Sequence, residues 1–124
     1  MSSRGTSDDD VLYANFLRGN TAIIVLSILR NEPAHGYAIA STISELTSGE
    51  LEFKQGTLYP LLHELERDGF ITSEWQIQEG ERPRRVYTIT PGGRQELTRR
   101  MEAWQRFSSA MSRVTGVALD EQNA

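Results

Sequence analysis

The segment from Gln55 to Ile71 limits the possible folds of this chain more than any other part of it. Leu58, Leu61, Leu62 and Leu65 repeat at the spacing of one helical face. Gly69 follows, where a helix C-terminus favours a residue that tolerates positive φ. The other face carries Lys54, Gln55, Thr57, Tyr59, His63 and Arg67, mostly hydrogen-bond donors gathered near the helix start. Pro60 costs a helical hydrogen bond to Gly56 and is tolerable only because it sits about one turn in. Next comes a strand from Ile71 to Gln78, with Ile71, Ser73, Trp75 and Ile77 on one side. Turn residues Gln78 to Pro83 and a return strand from Arg85 to Ile89 complete the unit. A short helix with a donor-rich N-terminal face suits the DNA major groove. A helix followed by an arginine-bearing hairpin is the order of a winged helix-turn-helix, so the expected class is mostly α with a two-stranded β-wing.

The flanking sequence fits around that unit. Asp8 to Arg18 can form a short helix, with the acidic triplet Asp8, Asp9 and Asp10 suited to its N-terminus. Ala22 to Arg30 is apolar nearly all round, as a core helix is, and Pro33 stops it. A further helix opens at His35-Gly36-Tyr37 and runs to about Leu46. Thr90-Pro91 is a strong start signal for a last helix reaching Thr115. Leu97, Met101, Trp104, Phe107, Met111 and Val114 form one stripe along it, and little core remains to cover them. Such a seam belongs on a partner subunit, so these six are the expected interface of a homodimer. The expected organisation is a flexible acidic segment (1–14), a DNA-binding domain (15–90), a C-terminal dimerisation helix (91–115) and a disordered tail (116–124).

Composition removes several other classes. The chain has no cysteine, hence no disulfide framework or thiolate metal site. No apolar run approaches the roughly 18–20 residues that span a bilayer, and the N-terminus lacks a signal-peptide pattern. A cytoplasmic protein without membrane association is the simplest expectation. His35 and His63 are the only histidines, neither has a metal-ligand partner at helical spacing, and no glycine-rich phosphate loop occurs. Neither an enzyme nor a cofactor is expected. The formal net charge of −4 argues against a DNA partner until its distribution is considered. From Asp8 to Glu81 there are four basic and thirteen acidic residues, whereas from Arg82 to Arg113 eight arginines face two glutamates. A phosphate contact needs a local patch and not an overall positive charge.

The motifs His35-Gly36-Tyr37-Ala38-Ile39, Gly56-Thr57-Leu58-Tyr59-Pro60-Leu61-Leu62 and Leu65-Glu66-Arg67-Asp68-Gly69-Phe70-Ile71 together resemble the PadR family of bacterial transcriptional regulators. Gly80, Arg82, Pro83, Arg84, Arg85, Tyr87, Thr88, Ile89, Thr90 and Gly93 extend the match, which covers roughly residues 15–95. The single helix after the wing resembles the short-chain subfamily. The resemblance implies a dimeric, ligand-responsive repressor on a palindromic operator of double-stranded DNA. It implies phosphate contact for Tyr37, groove contact for Thr57, Tyr59 and Pro60, and backbone or minor-groove contact for Arg82, Arg84 and Arg85. Lys54, Gln55 and His63 join this set through the donor-rich face. Arg85 replaces a common lysine and Val86 a common tyrosine, and the acidic N-terminus is no family feature. Trp104 lies at the offset of a tryptophan that, in a drug-binding subgroup, sandwiches planar aromatic compounds at the dimer centre, with Met101, Phe107, Ser108 and Met111 expected around it. Tyr87 and Trp75 are expected to be packing residues. The competing class is a winged-helix module that binds protein, favoured by overall acidity but opposed by the donor face and the wing arginines.

Overall fold

The computed structural model describes residues 7–118. Five helices and three strands follow one another: α1 (Asp8–Arg18), α2 (Thr21–Asn31), β1 (Ala34–His35), α3 (Gly36–Leu46), α4 (Gln55–Arg67), β2 (Ile71–Gln76), β3 (Arg84–Ile89) and α5 (Pro91–Thr115). The sheet is antiparallel with order β1-β3-β2. The wing is therefore three-stranded and not the expected two-stranded hairpin. Ala34 and His35 pair with Tyr87 and Val86 in the gap between Pro33 and α3, a strand too short to show any periodicity in sequence.

The core lies where α2, α3 and α4 converge on the sheet. Val25, Leu26 and Leu29 of α2, Ile39 and Ile43 of α3, and Leu58, Leu62 and Leu65 of α4 are buried together with Ile71, Tyr87 and Ile89. Each such aliphatic side chain is worth about 1.5–3 kcal/mol on burial. Tyr87 is a core residue, as expected, and burial raises the pKa of its hydroxyl.

Helix α4 ends in a Schellman motif. Phe70 N–H donates to Leu65 O and Gly69 N–H to Glu66 O, both at 3.0 Å, with Gly69 at φ +84°. That turn starts β2 and also receives α5. Thr90 donates from its backbone N–H to Phe70 O (3.0 Å) and from its hydroxyl to Gly69 O (2.8 Å). The same hydroxyl accepts from Gly93 N–H at 2.9 Å, the N-cap of α5. A Cβ on Gly93 would run into the Phe70 carbonyl, so α5 can leave the sheet only through a glycine.

Helix α5 divides the expected seam. Its first turns pack on α2, and Leu97 is buried inside the subunit, so it belongs to the domain core and not to the uncovered stripe. Met101 is half-buried against the core. From Trp104 onward, Phe107, Met111 and Val114 are exposed. Helix α1 is present over the expected residues, and the boundary drawn at residue 14 falls inside it. Ser7 and Asp10 close a capping box at its start, yet none of its residues is buried. The segments 1–6 and 119–124, assigned to a flexible N-terminus and a disordered tail, lie outside the described residues.

Candidate nucleic-acid interface

Helix α4 projects its N-terminus from the domain. Lys54 is the N-cap residue but supplies no side-chain cap; Thr57 N–H already donates to Lys54 O at 2.9 Å, which leaves the Gln55 and Gly56 N–H groups open to an incoming acceptor. Lys54, Gln55, Thr57, Pro60 and His63 are all exposed. Tyr59 differs: it is half-buried against the core, with its ring end on Gly36. A Cβ at Gly36 would lie 2.5 Å from Tyr59 Oη, so a residue at the start of α3 fixes the posture of an α4 side chain. Tyr37, next to that glycine, is 77% exposed.

The wing faces this surface across a cleft of about 590 Å³. Tyr59 and His63 form one wall, Trp75 and Arg82 to Arg85 the other, and His35 and Tyr37 close one end. The cleft brings together Tyr37, Tyr59, His63, Arg82, Arg84 and Arg85 of the expected DNA-binding set. Lys54, Gln55, Thr57 and Pro60 lie outside it on the exposed start of α4. Arg82 and Arg84 are exposed, whereas Arg85 is already engaged. Its Nε donates to Ser73 Oγ (2.8 Å), Ser73 donates to Glu66 Oε2 (2.7 Å), and Arg85 Nη2 lies 3.8 Å from Glu66 Oε1. Its guanidinium also sits 5.6 Å from the Trp75 ring centroid. This network ties the wing to α4.

Trp75, expected to be a packing residue, is instead 61% exposed. It keeps the inward face of β2, paired with Arg85, but the strand outruns the helical layer after Ile71 and Ser73. His35, expected only to open a helix, does more. It is the N-cap of α3, a β1 residue, and part of the cleft wall. A histidine before a glycine-led helix is the signal that sequence offers for it.

A second surface shares no residue with this cleft. Exposed Tyr13 and Phe16 of α1 share hollows with Trp104, Phe107 and Met111 of α5, and Val11 and Leu12 of α1 are exposed as well. A trough of about 650 Å³ runs between the two helices, lined by Phe16, Ile23, Trp104, Phe107, Ser108 and Met111 among others. An adjoining hollow of about 420 Å³ reaches Met101. All five expected ligand-lining residues thus meet along one face. Arg100 borders the trough, held by Glu96. Glu96 is buried; it accepts from Arg99 at 3.0 and 2.7 Å and from Arg100 at 2.6 Å. The hydrogen bonds from Arg99 hold its carboxyl below the usual carboxylate range, against the opposing effect of burial.

A helix-turn-helix whose second helix and basic wing share one exposed cleft defines a winged-helix DNA-binding protein. The profile of the transcriptional regulator PadR-like family matches residues 25–99, which covers α3, α4, the wing and the start of α5. The chain belongs to this family of DNA-binding transcriptional regulators, and is not an enzyme. It is similar to the transcriptional regulator Rv3488 of Mycobacterium tuberculosis, with 37% identity over 93 residues, or 75% of this chain and 83% of that protein. Among solved structures, a transcriptional regulator from Clostridium thermocellum superposes with a TM-score of 0.76 at 28% identity, over 82% of this chain and 98% of that one. PadR of Bacillus subtilis, solved in complex with operator DNA, matches at 32% identity and a TM-score of 0.60, over 65% of this chain and 45% of that one.

Proposed function

We propose that the chain works in the cytoplasm as a homodimeric repressor, with two α4 helices on the half-sites of a palindromic operator. The observation that carries this reading is the pairing of two surfaces. A donor-rich cleft is lined by α4 and the wing, and an apolar face from α1 and distal α5, with no residue in common with it, lies exposed. A second copy of the chain would cover the apolar face and set two α4 helices about one helical turn of DNA apart. Thr57, Tyr59 and Pro60 read the groove, Tyr37 and the wing hold the backbone, and Lys54, Gln55 and His63 supply further donors. The protein-binding alternative has less support, because three arginines and the Tyr37 and Tyr59 residues stand among the aromatic walls of the cleft.

The same dimer would set the two Trp104 side chains across a two-fold axis. A planar aromatic ligand stacks between indole faces, with Met101, Phe107, Ser108 and Met111 as walls. The test is direct. Light scattering should give twice the 14.0 kDa chain mass at micromolar concentration, and Phe107→Glu should reduce it to one chain. A bisbenzimide dye should quench tryptophan emission of the dimer, and Trp104→Ala should abolish that binding without dissociating the subunits. A monomer at all concentrations removes the dimer reading. Unchanged dye affinity in Trp104→Ala reduces that residue to packing.

A further inference from the structure

His35 is asked to do two things that one imidazole cannot do at once. Its Nδ1 accepts the Ala38 N–H at 3.3 Å, capping α3, so in the neutral ring the proton resides on Nε2. Yet Arg84 Nη1, which can only donate, lies 3.2 Å from that same Nε2. The other tautomer moves the conflict without removing it, because Nδ1–H would then face the Ala38 N–H. With the cap made, two N–H donors on two elements converge on one point, and no acceptor among the described residues lies between them. The Tyr37 ring lies alongside, 6.4 Å from the His35 ring and 15° from parallel with it, and the Ser41 and Thr42 hydroxyl residues line the same recess of about 340 Å³. What resolves this arrangement is an anionic oxygen at the recess mouth, accepting from both.

We infer that His35 and Arg84 form a paired-donor clamp for a single backbone phosphate of bound DNA. The inference rests on the DNA-binding reading. His35, Tyr37 and Arg84 also border the cleft between α4 and the wing, so the clamp opens onto the surface where a duplex would lie. Through the DNA it adds a second tie between the start of α3 and the wing, beside the β1–β3 pairing that already joins them. Because a phosphate oxygen is common to every sequence, the clamp adds affinity and register without choosing bases.

His35→Asn separates the clamp from the cap, since asparagine is among the best N-cap residues but does not carry a donor out to the Nε2 position. It should melt close to the wild type and bind both its own promoter duplex and a random duplex about tenfold more weakly, the loss expected for one hydrogen bond to a charged group. In an Arg84→Ala background the same change should cost little more. Nitrogen-15 spectra of wild-type imidazoles need no variant: His35 Nε2 should be protonated in the unbound protein and shift on addition of duplex, but not on addition of inorganic phosphate at equal phosphate concentration. Wild-type affinity in His35→Asn, additive losses in the double variant, or an equal response to inorganic phosphate would each overturn the clamp. A wild-type chain that binds no duplex would overturn the DNA-binding reading itself, a result distinct from these.

Discussion

At the scale of single residues, the cleft is set by small groups as much as by charged ones. Gly36 leaves room for the end of the Tyr59 ring, so Gly36→Ala should displace Tyr59 and weaken operator binding while the helices persist. Thermal melts should show a destabilised Gly36→Ala whose loss Tyr59→Ala partly reverses, because the truncated side chain removes the clash. Tyr59→Ala alone should cost roughly 1–3 kcal/mol at the specific site, the worth of a groove contact. The wing arginines should also separate. Arg84 is exposed, whereas Arg85 is bound to Ser73, Glu66 and Trp75. Arg84→Ala should therefore flatten the salt dependence of binding more than Arg85→Ala does. Much at this scale is legible in the sequence: Tyr87 as core, and the exposed donors of α4. Trp75 and Leu97 are not, because periodicity gives the face on which a side chain lies and not how far the covering layer extends.

At the scale of elements, the capping chemistry is written plainly in the chain. Gly69 ends α4, and Thr90 with Pro91 starts α5 at the expected residue. The short strand β1 is not legible, since two residues carry no period and their pairing with β3 is long-range. Core changes should behave conventionally: Leu62→Ala, at a fully buried α4 position, should cost about 2–5 kcal/mol in denaturant unfolding. Glu96 makes a pH-dependent claim. Its folded pKa lies below the ordinary value of 4.5, so its contribution to stability is present above that value. The contribution is lost as pH falls through the lower folded pKa. Glu96→Gln should lower the melting temperature at neutral pH by a few degrees and should narrow the gap to wild type in acid. An equal gap at neutral pH and in strong acid would show that the Arg99 and Arg100 hydrogen bonds do not stabilise the charged form.

At the scale of the whole molecule, the two surfaces divide the labour. The apolar face of α1 and distal α5 is exposed among the described residues, and the cleft between α4 and the wing, which shares no residue with it, carries exposed donors. The stripe on α5 is legible as a stripe, but not the point at which it changes owner. Leu97 is buried in the subunit's own core, whereas Trp104, Phe107, Met111 and Val114 are exposed. In a dimer, loss of assembly and loss of DNA affinity should go together. Phe107→Glu should weaken operator binding though it touches no DNA, through loss of bivalent attachment.

The most direct test of DNA recognition through this cleft is the salt dependence of binding to the chain's own promoter duplex, followed by fluorescence anisotropy for wild type and Arg84→Ala. The wild type should bind saturably, with log K falling linearly as log salt concentration rises. Arg84→Ala should bind more weakly, with a slope shallower by about 0.9 for each phosphate that the arginine neutralises. Absence of wild-type binding at low salt, or an Arg84→Ala line that overlies the wild-type line, would contradict the account.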